Sequence, residues 1–194
     1  MKNLSVLSLS LAVALMTAGS LFAEEAASDG LKSGPQCGDS IGAFYVTKVA
    51  GAEDDGVEEG KNLCYRCRNG SRPQVIVFTR STDAKVMQLV KKLDKAVADN
   101  ESEQLRVFVN VLGEDKDDLS DTCKKLAAAT QAKNVPFVVP NEFENGPDNY
   151  GINAKADVTI MLASEANVKA THAFASSKDL KVAAVIKDLK KILE

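Results

Sequence analysis

The sequence predicts an α/β domain built on a mixed sheet with helices on both faces. Three runs of strand character, residues 74–78, 105–111 and 135–139, alternate with two segments of helical period. A hairpin, residues 157–162 and 168–174, and a final helix follow. Strands joined through a helix are parallel with a right-handed crossover, whereas strands joined by a tight turn are antiparallel. The expected order is therefore β-α-β-α-β followed by β-β-α.

The N-terminal residues have the pattern of a secretory signal peptide. Lys2 is followed by an apolar stretch, and small residues lead to Ala23. This stretch is shorter than the roughly 20 residues of a spanning helix, so no membrane span is expected in the mature chain. We expect residues 1–23 to be removed, residues 24–34 to form a flexible leader, and residues 35–194 to form one domain. The expected location is exported, either periplasmic or extracellular.

Charge and residue usage exclude several classes of function. The formal net charge is −3, which argues against nucleic acid as a partner. The single histidine argues against a Ser/His/Asp arrangement, and neither a Walker-type glycine loop nor an HExxH motif occurs. Export would place the four cysteines, Cys37, Cys64, Cys67 and Cys123, where disulfides persist.

The first half of the domain contains a polar loop, a strand and a helix. Residues 51–61 are acidic and rich in glycine, and we interpret them as a solvated surface loop. Residues 74–78 are almost continuously apolar, as in a strand buried on both faces. A helix is predicted next from apolar residues at helical spacing, namely Val86, Leu89, Val90, Leu93 and Val97.

The second half supplies the remaining elements. Residues 105–111 alternate like a strand, and the acidic residues after them favour a helix start. Leu119, Cys123 and Leu126 form the apolar stripe of that helix. The tight turn at residues 164–167 predicts the hairpin, and a last helix is expected from about Ser177.

Two groups of short motifs add a family resemblance over about residues 35 to the C-terminus. The first group looks like the opening hairpin of redoxins. It consists of residues 35–39, then the aromatic run at residues 44–47, and Gly51. Residues 150–152 are similar to the segment that leads into the hairpin of thioredoxins. The chain thus resembles the thioredoxin-like superfamily, in its redoxin branch of peroxiredoxins and exported thiol oxidoreductases. The resemblance implies a thioredoxin-like mixed sheet with an N-terminal β-hairpin extension.

The sequence departs from this family at its usual reaction centre. The resemblance implies a nucleophilic cysteine in the loop after the first central strand, but residues 79–86 contain none. The family's proline before the hairpin is also missing, since Val158 precedes Thr159. No peroxidase site is therefore expected at its family position.

Cys64 and Cys67 are the candidate catalytic residues. In a regular strand their side chains would point to opposite faces, so the sulfurs can meet only if the chain turns there. A β-turn would bring the Cα atoms within about 7 Å, roughly the limit for a disulfide. Neighbouring cations would favour the thiolate form, namely Lys61, Arg66, Arg68 and Arg72.

Three functions remain open for this pair. The first is thiol-disulfide exchange with a protein, in which Cys64 attacks, by analogy with dithiol motifs, and Cys67 resolves. The second is a non-catalytic binding module in which the bridge is structural. The third is a zinc knuckle completed by Cys37 and by Cys123 or His172. We interpret Cys123 and His172 as core residues and expect neither cofactor nor metal.

Overall fold

The computed structural model of the chain describes residues 30–193. The predicted signal peptide and the first part of the predicted leader lie outside this range. Ser33 and Gly34, which the sequence places in the leader, are packed against the domain. The Ser33 and Thr159 hydroxyl oxygens are 2.6 Å apart, and the Gly34 N–H donates to the Gly151 carbonyl.

The described residues contain one seven-stranded mixed sheet, with strand order β2-β1-β5-β4-β3-β6-β7. Its strands are β1 (Val46–Ala50), β2 (Asn62–Leu63), β3 (Gln74–Thr79), β4 (Arg106–Val111), β5 (Phe137–Pro140), β6 (Val158–Ser164) and β7 (Asn167–Phe174). Strands β3, β4 and β5 are parallel. The other pairs are antiparallel, including the N-terminal hairpin β1–β2 and the hairpin β6–β7. The predicted mixed sheet is confirmed. The N-terminal hairpin is formed by β1 and β2, whereas the sequence motifs placed it over residues 35–51, of which residues 35–39 belong to no strand.

Helices lie on both faces of the sheet, but unequally. They are α1 (Tyr65–Asn69), α2 (Ala84–Asp99), α3 (Lys116–Thr130), α4 (Val182–Asp188) and α5 (Lys190–Leu193). Val75 and Val77 of β3 pack with α2 to α5 on one face. Because strand side chains alternate, Ile76 and Phe78 point to the other face, where α1 packs. The last helix begins later than predicted, because a 3₁₀ turn, Ser177–Asp179, precedes α4.

An aromatic cluster holds the face that carries α1. Phe44 lies with its ring centroid 4.8 Å from that of Tyr150 and 5.9 Å from that of Phe108. Tyr65 of α1 stacks on Phe108 with a centroid distance of 5.7 Å. The large apolar area buried by such rings fixes α1 and the N-terminal segment onto the sheet.

Candidate functional site

Cys64 and Cys67 are joined by a disulfide, with their Cα atoms 5.2 Å apart. The chain turns here as a short helix rather than as an isolated β-turn. Cys64 is the N-cap of α1, and Cys67 is its third residue. Positions three apart lie on the same side of a helical turn, which brings the sulfurs together. The Cys67 backbone N–H donates to Cys64 Sγ, with a nitrogen–sulfur distance of 3.0 Å.

The two sulfur-bearing residues differ in exposure. Cys64 is 8% exposed, whereas Cys67 is exposed to solvent. Exchange begins when an external thiolate attacks one sulfur of a disulfide, and access decides which sulfur that is. Cys67 is therefore the more accessible residue of the pair, and the Sγ of the buried Cys64 accepts a hydrogen bond from the Cys67 N–H.

Tyr65, between the cysteines, anchors α1 to the preceding acidic loop. Its hydroxyl donates to Asp55 Oδ2 over 2.6 Å. Burial, and then the hydrogen bond to the Asp55 carboxylate, raise the pKa of Tyr65 well above its usual value. Tyr65 therefore stays protonated at physiological pH and remains a donor to Asp55.

Three further side chains tie α1 to its surroundings without using the sulfurs. Arg66 Nε donates to the Ile41 carbonyl, and an Arg68 guanidinium N–H donates to the Asp55 carbonyl. The Asn69 side-chain amide donates to the Gln74 side chain at the start of β3. None of these contacts involves a sulfur atom, so α1 has anchors besides the disulfide.

A buried lysine organises the acidic loop. Lys48 is only 2% exposed, and its Nζ donates to the Ala52 and Val57 carbonyls and to Asp55 Oδ1 over 2.7–2.8 Å. Three donors thus meet three acceptors, which is the condition for burying an ammonium group. The sequence interpretation of residues 51–61 as solvated surface missed the role of Asp55. The available signal was Lys48 itself, a charge at an inward position of β1 between Val46 and Ala50.

The disulfide lies at the N-terminal edge of the parallel strands, whereas the family's usual reaction centre lies at their C-terminal edge. Helix α1 precedes β3, whereas the loop that carries the family cysteine follows it. The length of β3 alone separates these ends by roughly 17 Å. In that loop Asp83 Oδ2 accepts a hydrogen bond from the hydroxyl of Ser177, which lies in the 3₁₀ turn after β7. The Ser81 hydroxyl of the same loop donates to Ser177 Oγ over 2.9 Å. Hydrogen-bonded hydroxyls and a carboxylate occupy the position, and no sulfur is brought to it.

The other predicted ligands of a zinc knuckle lie apart from this pair. Cys123 is fully buried on α3, and burial raises the pKa of its thiol to about 12. Cys37 is exposed, and its Sγ donates to the Lys169 carbonyl on β7. His172 is buried, with Nε2 3.0 Å from Asp188 Oδ2. Between residues 30 and 193 no cluster of three His, Cys, Asp or Glu side chains could hold a metal ion.

The fold is shared with several proteins of known structure. AhpC from Mycobacterium tuberculosis matches with a TM-score of 0.60 and 13% identity, over 82% of this chain and 98% of that one. The thioredoxin domain of a thiol-disulfide oxidoreductase from Bacteroides vulgatus matches with a TM-score of 0.59 and 11% identity, over 81% and 98%. The chain has a thioredoxin-like fold.

A thioredoxin is also among the similar structures. The exposed lipoprotein thioredoxin Etrx1 from Streptococcus pneumoniae matches with a TM-score of 0.52 and 16% identity, over 77% of this chain and 99% of that one. No protein-family model and no curated protein sequence matches the chain. Identities this low establish the fold alone. None of the helices within residues 30–193 has the length and apolar content needed to cross a bilayer.

Proposed function

We propose that this protein is exported and exchanges thiols and disulfides with other proteins through Cys64 and Cys67. The observation that carries the proposal is the exposed Cys67 half of a short disulfide on a helix with its own anchors. Opening the bridge leaves the hydrogen bonds of Tyr65, Arg66 and Asn69 in place. The protein can therefore cycle between oxidised and reduced states without dismantling the site.

The proposed reaction runs through one mixed disulfide. A partner thiolate attacks Cys67 Sγ, the bond between Cys67 and Cys64 breaks, and Cys64 leaves as a thiolate that keeps the Cys67 N–H as donor. A second partner thiolate attacks the partner sulfur of the mixed disulfide and releases Cys67 as a thiolate. The partner dithiol becomes a disulfide and loses two electrons, which the Cys64–Cys67 pair gains. In the reverse direction the Cys67 thiolate attacks a disulfide of the partner.

Exposure favours Cys67 rather than Cys64 as the attacking residue. The analogy with dithiol motifs, in which the N-terminal cysteine attacks, rests on a pair placed after the central strand. Here the pair precedes that strand, and Cys64 is the buried partner.

A structural bridge in a non-catalytic binding module is the second candidate. Its support is the position of the pair, at the sheet edge opposite the family's reaction centre. Catalytic turnover distinguishes the two candidates, because a structural disulfide does not catalyse thiol-disulfide exchange.

The test is reduction of insulin by dithiothreitol, measured with and without the protein. We expect faster reduction with the native protein and with Cys37→Ser, and the uncatalysed rate with Cys64→Ser and with Cys67→Ser. Equal rates with the native protein and with the Cys64→Ser and Cys67→Ser variants would exclude exchange and leave the structural bridge. A second measurement traps the mixed disulfide. The Cys64→Ser variant, which leaves Cys67 exposed, should form a mixed disulfide with a partner thiol after oxidation. Cys67→Ser should trap far more slowly, because Cys64 is buried.

Export rests on the signal-peptide pattern of residues 1–23. Expression of the full chain in a secreting bacterium should yield a product that begins near Glu24 outside the cytoplasm. A product that retains Met1 and Lys2 would contradict export.

A further inference from the structure

A cationic groove lies beside the disulfide helix. Its volume is about 660 Å³. Part of its lining is apolar or aromatic, from Tyr65, Val97, Val107 and Pro136. Four cations line it as well, namely Arg68, Arg72, Arg106 and Lys133. The groove thus combines apolar surface with a concentration of positive charge.

The charges of this groove are not compensated within the described residues. All four cations are exposed, and none forms an ion pair with a carboxylate of residues 30–193. Two carboxylates also line the groove, but one of them, Asp55, is paired with the buried Lys48. Asp54 alone then opposes the four cations. In a chain with net charge −3, such a local excess favours a negatively charged ligand.

The topology explains why the cations converge. Arg72 lies just before β3, Arg106 is the first residue of β4, and Lys133 lies shortly before β5. These strands are parallel neighbours, so their starts meet at one edge of the sheet. Helix α1 lies at the same edge because it precedes β3. Its Arg68 lines the groove and follows Cys67 directly in the chain, whereas neither cysteine is part of the lining.

We propose that the groove binds an acidic polypeptide segment of the protein that exchanges with Cys64–Cys67. The inference deepens the proposed function, on which it rests for the identity of the partner. Guanidinium groups bind carboxylates through paired hydrogen bonds, and apolar contacts hold the rest of a segment. Binding through exposed charges is screened by salt. The groove therefore selects partners with Asp or Glu near the reacting cysteine.

Binding can be measured separately from exchange. The probes are two labelled peptides of equal length that lack cysteine, one rich in Glu and the other with Gln at each Glu position. Fluorescence anisotropy with the oxidised protein should show binding of the Glu peptide that weakens as salt is added. The Gln peptide should bind at least about fivefold more weakly, which corresponds to the loss of two exposed ion pairs.

A charge-matched pair of variants localises the binding. Arg106→Gln combined with Lys133→Gln removes two groove cations, and we expect about fivefold weaker binding of the Glu peptide. Lys91→Gln combined with Lys92→Gln removes the same charge from exposed positions of α2 outside the groove. This control should bind like the native protein. Circular dichroism and thiol titration verify that each variant is folded and bridged.

The outcomes separate this inference from the proposed function. If the protein accelerates insulin reduction but does not bind the Glu peptide selectively, the inference about the groove is wrong and the proposed exchange function stands. If the native protein binds the Glu peptide selectively and the groove variant does not, the groove is an acidic-peptide site. If the protein then shows no insulin reduction, the proposed exchange function is wrong. Equal weakening by both variants, or tighter binding of a single-stranded oligonucleotide than of the Glu peptide, overturns the inference.

Discussion

Burial decides which sulfurs of this chain can react. Cys123 is fully buried, and burial raises the pKa of its thiol to about 12, so it stays protonated and inaccessible at neutral pH. Cys67 is exposed and has cationic neighbours in sequence. Cys67 is bridged and exposed, which makes it a candidate for exchange, whereas Cys123 is a free thiol in the core.

His172 should make stability depend on pH. Burial lowers the pKa of His172 below its ordinary value, and the Asp188 carboxylate opposes this effect only in part. The unfolded chain then binds more protons than the folded protein below about pH 6.5, so the free energy of unfolding falls as the pH is lowered. We expect a loss of at most about 1.4 kcal/mol per pH unit. Urea unfolding between about pH 7 and about pH 5.5 measures it.

The control for this prediction is His172→Gln, which cannot take up a proton. It should lose most of the slope in this window, since the chain contains one histidine. A native protein whose free energy of unfolding stays constant down to about pH 5.5 would contradict the prediction.

At the scale of elements, the sequence predicts what has a periodic pattern. Helix α2 and strand β3 were predicted closely, because their apolar spacing is local. Helix α1 was not predicted as a helix, because five residues are too few to show a period. Its stability comes from Tyr65 and Asp55, which a sequence pattern does not pair. The cysteine spacing predicted that the chain must turn, but not the helical form of the turn.

The loop between β1 and β2 was also only partly predictable. Its acidic composition is typical of a solvated loop, and most of its carboxylates fit that interpretation. The pairing of Asp55 with Lys48 depends on the path of the chain, which includes positive φ angles at Gly51 and Ala52. A Cβ on Gly51 would lie 2.4 Å from the Val135 carbonyl oxygen, so this turn needs glycine.

Lys48→Met should destabilise the protein strongly. The substitution leaves the Asp55 carboxylate and the carbonyls of Ala52 and Val57 without their shared donor. Breaking a buried pair by removing one partner costs about 3–5 kcal/mol. Urea unfolding at neutral pH measures the change in the free energy of unfolding.

Lys95→Met is the matched control for that loss. Lys95 pairs with Asp99 on the surface of α2, where both side chains are more than half exposed. Its removal should cost less than about 1 kcal/mol. Similar losses in the two variants would show that Lys48 contributes no more than a surface lysine.

Across the whole sheet, the two ends of the parallel strands carry different sets of side chains. The C-terminal edge of the parallel strands carries Ser81, Asp83 and Ser177, joined by hydrogen bonds. The N-terminal edge carries the disulfide and the cationic groove. The family resemblance directs attention to the first edge, but the proposed exchange pair, Cys64 and Cys67, lies at the second. Function must therefore be argued from the placement of these side chains and not from the fold.

Reduction of the disulfide should leave this architecture intact. The bridge closes a loop of only a few residues, so the chain-entropy model gives it about 2 kcal/mol of stabilisation at most. The melting temperature should fall by about 4–8 °C on reduction. Hydrogen exchange should accelerate at the amides of α1, such as Arg68 and Gly70, while β3 and α2 keep their protection. Loss of protection throughout the sheet would instead mean that the fold depends on the bridge, as a structural disulfide requires, and would count against a reversible exchange site.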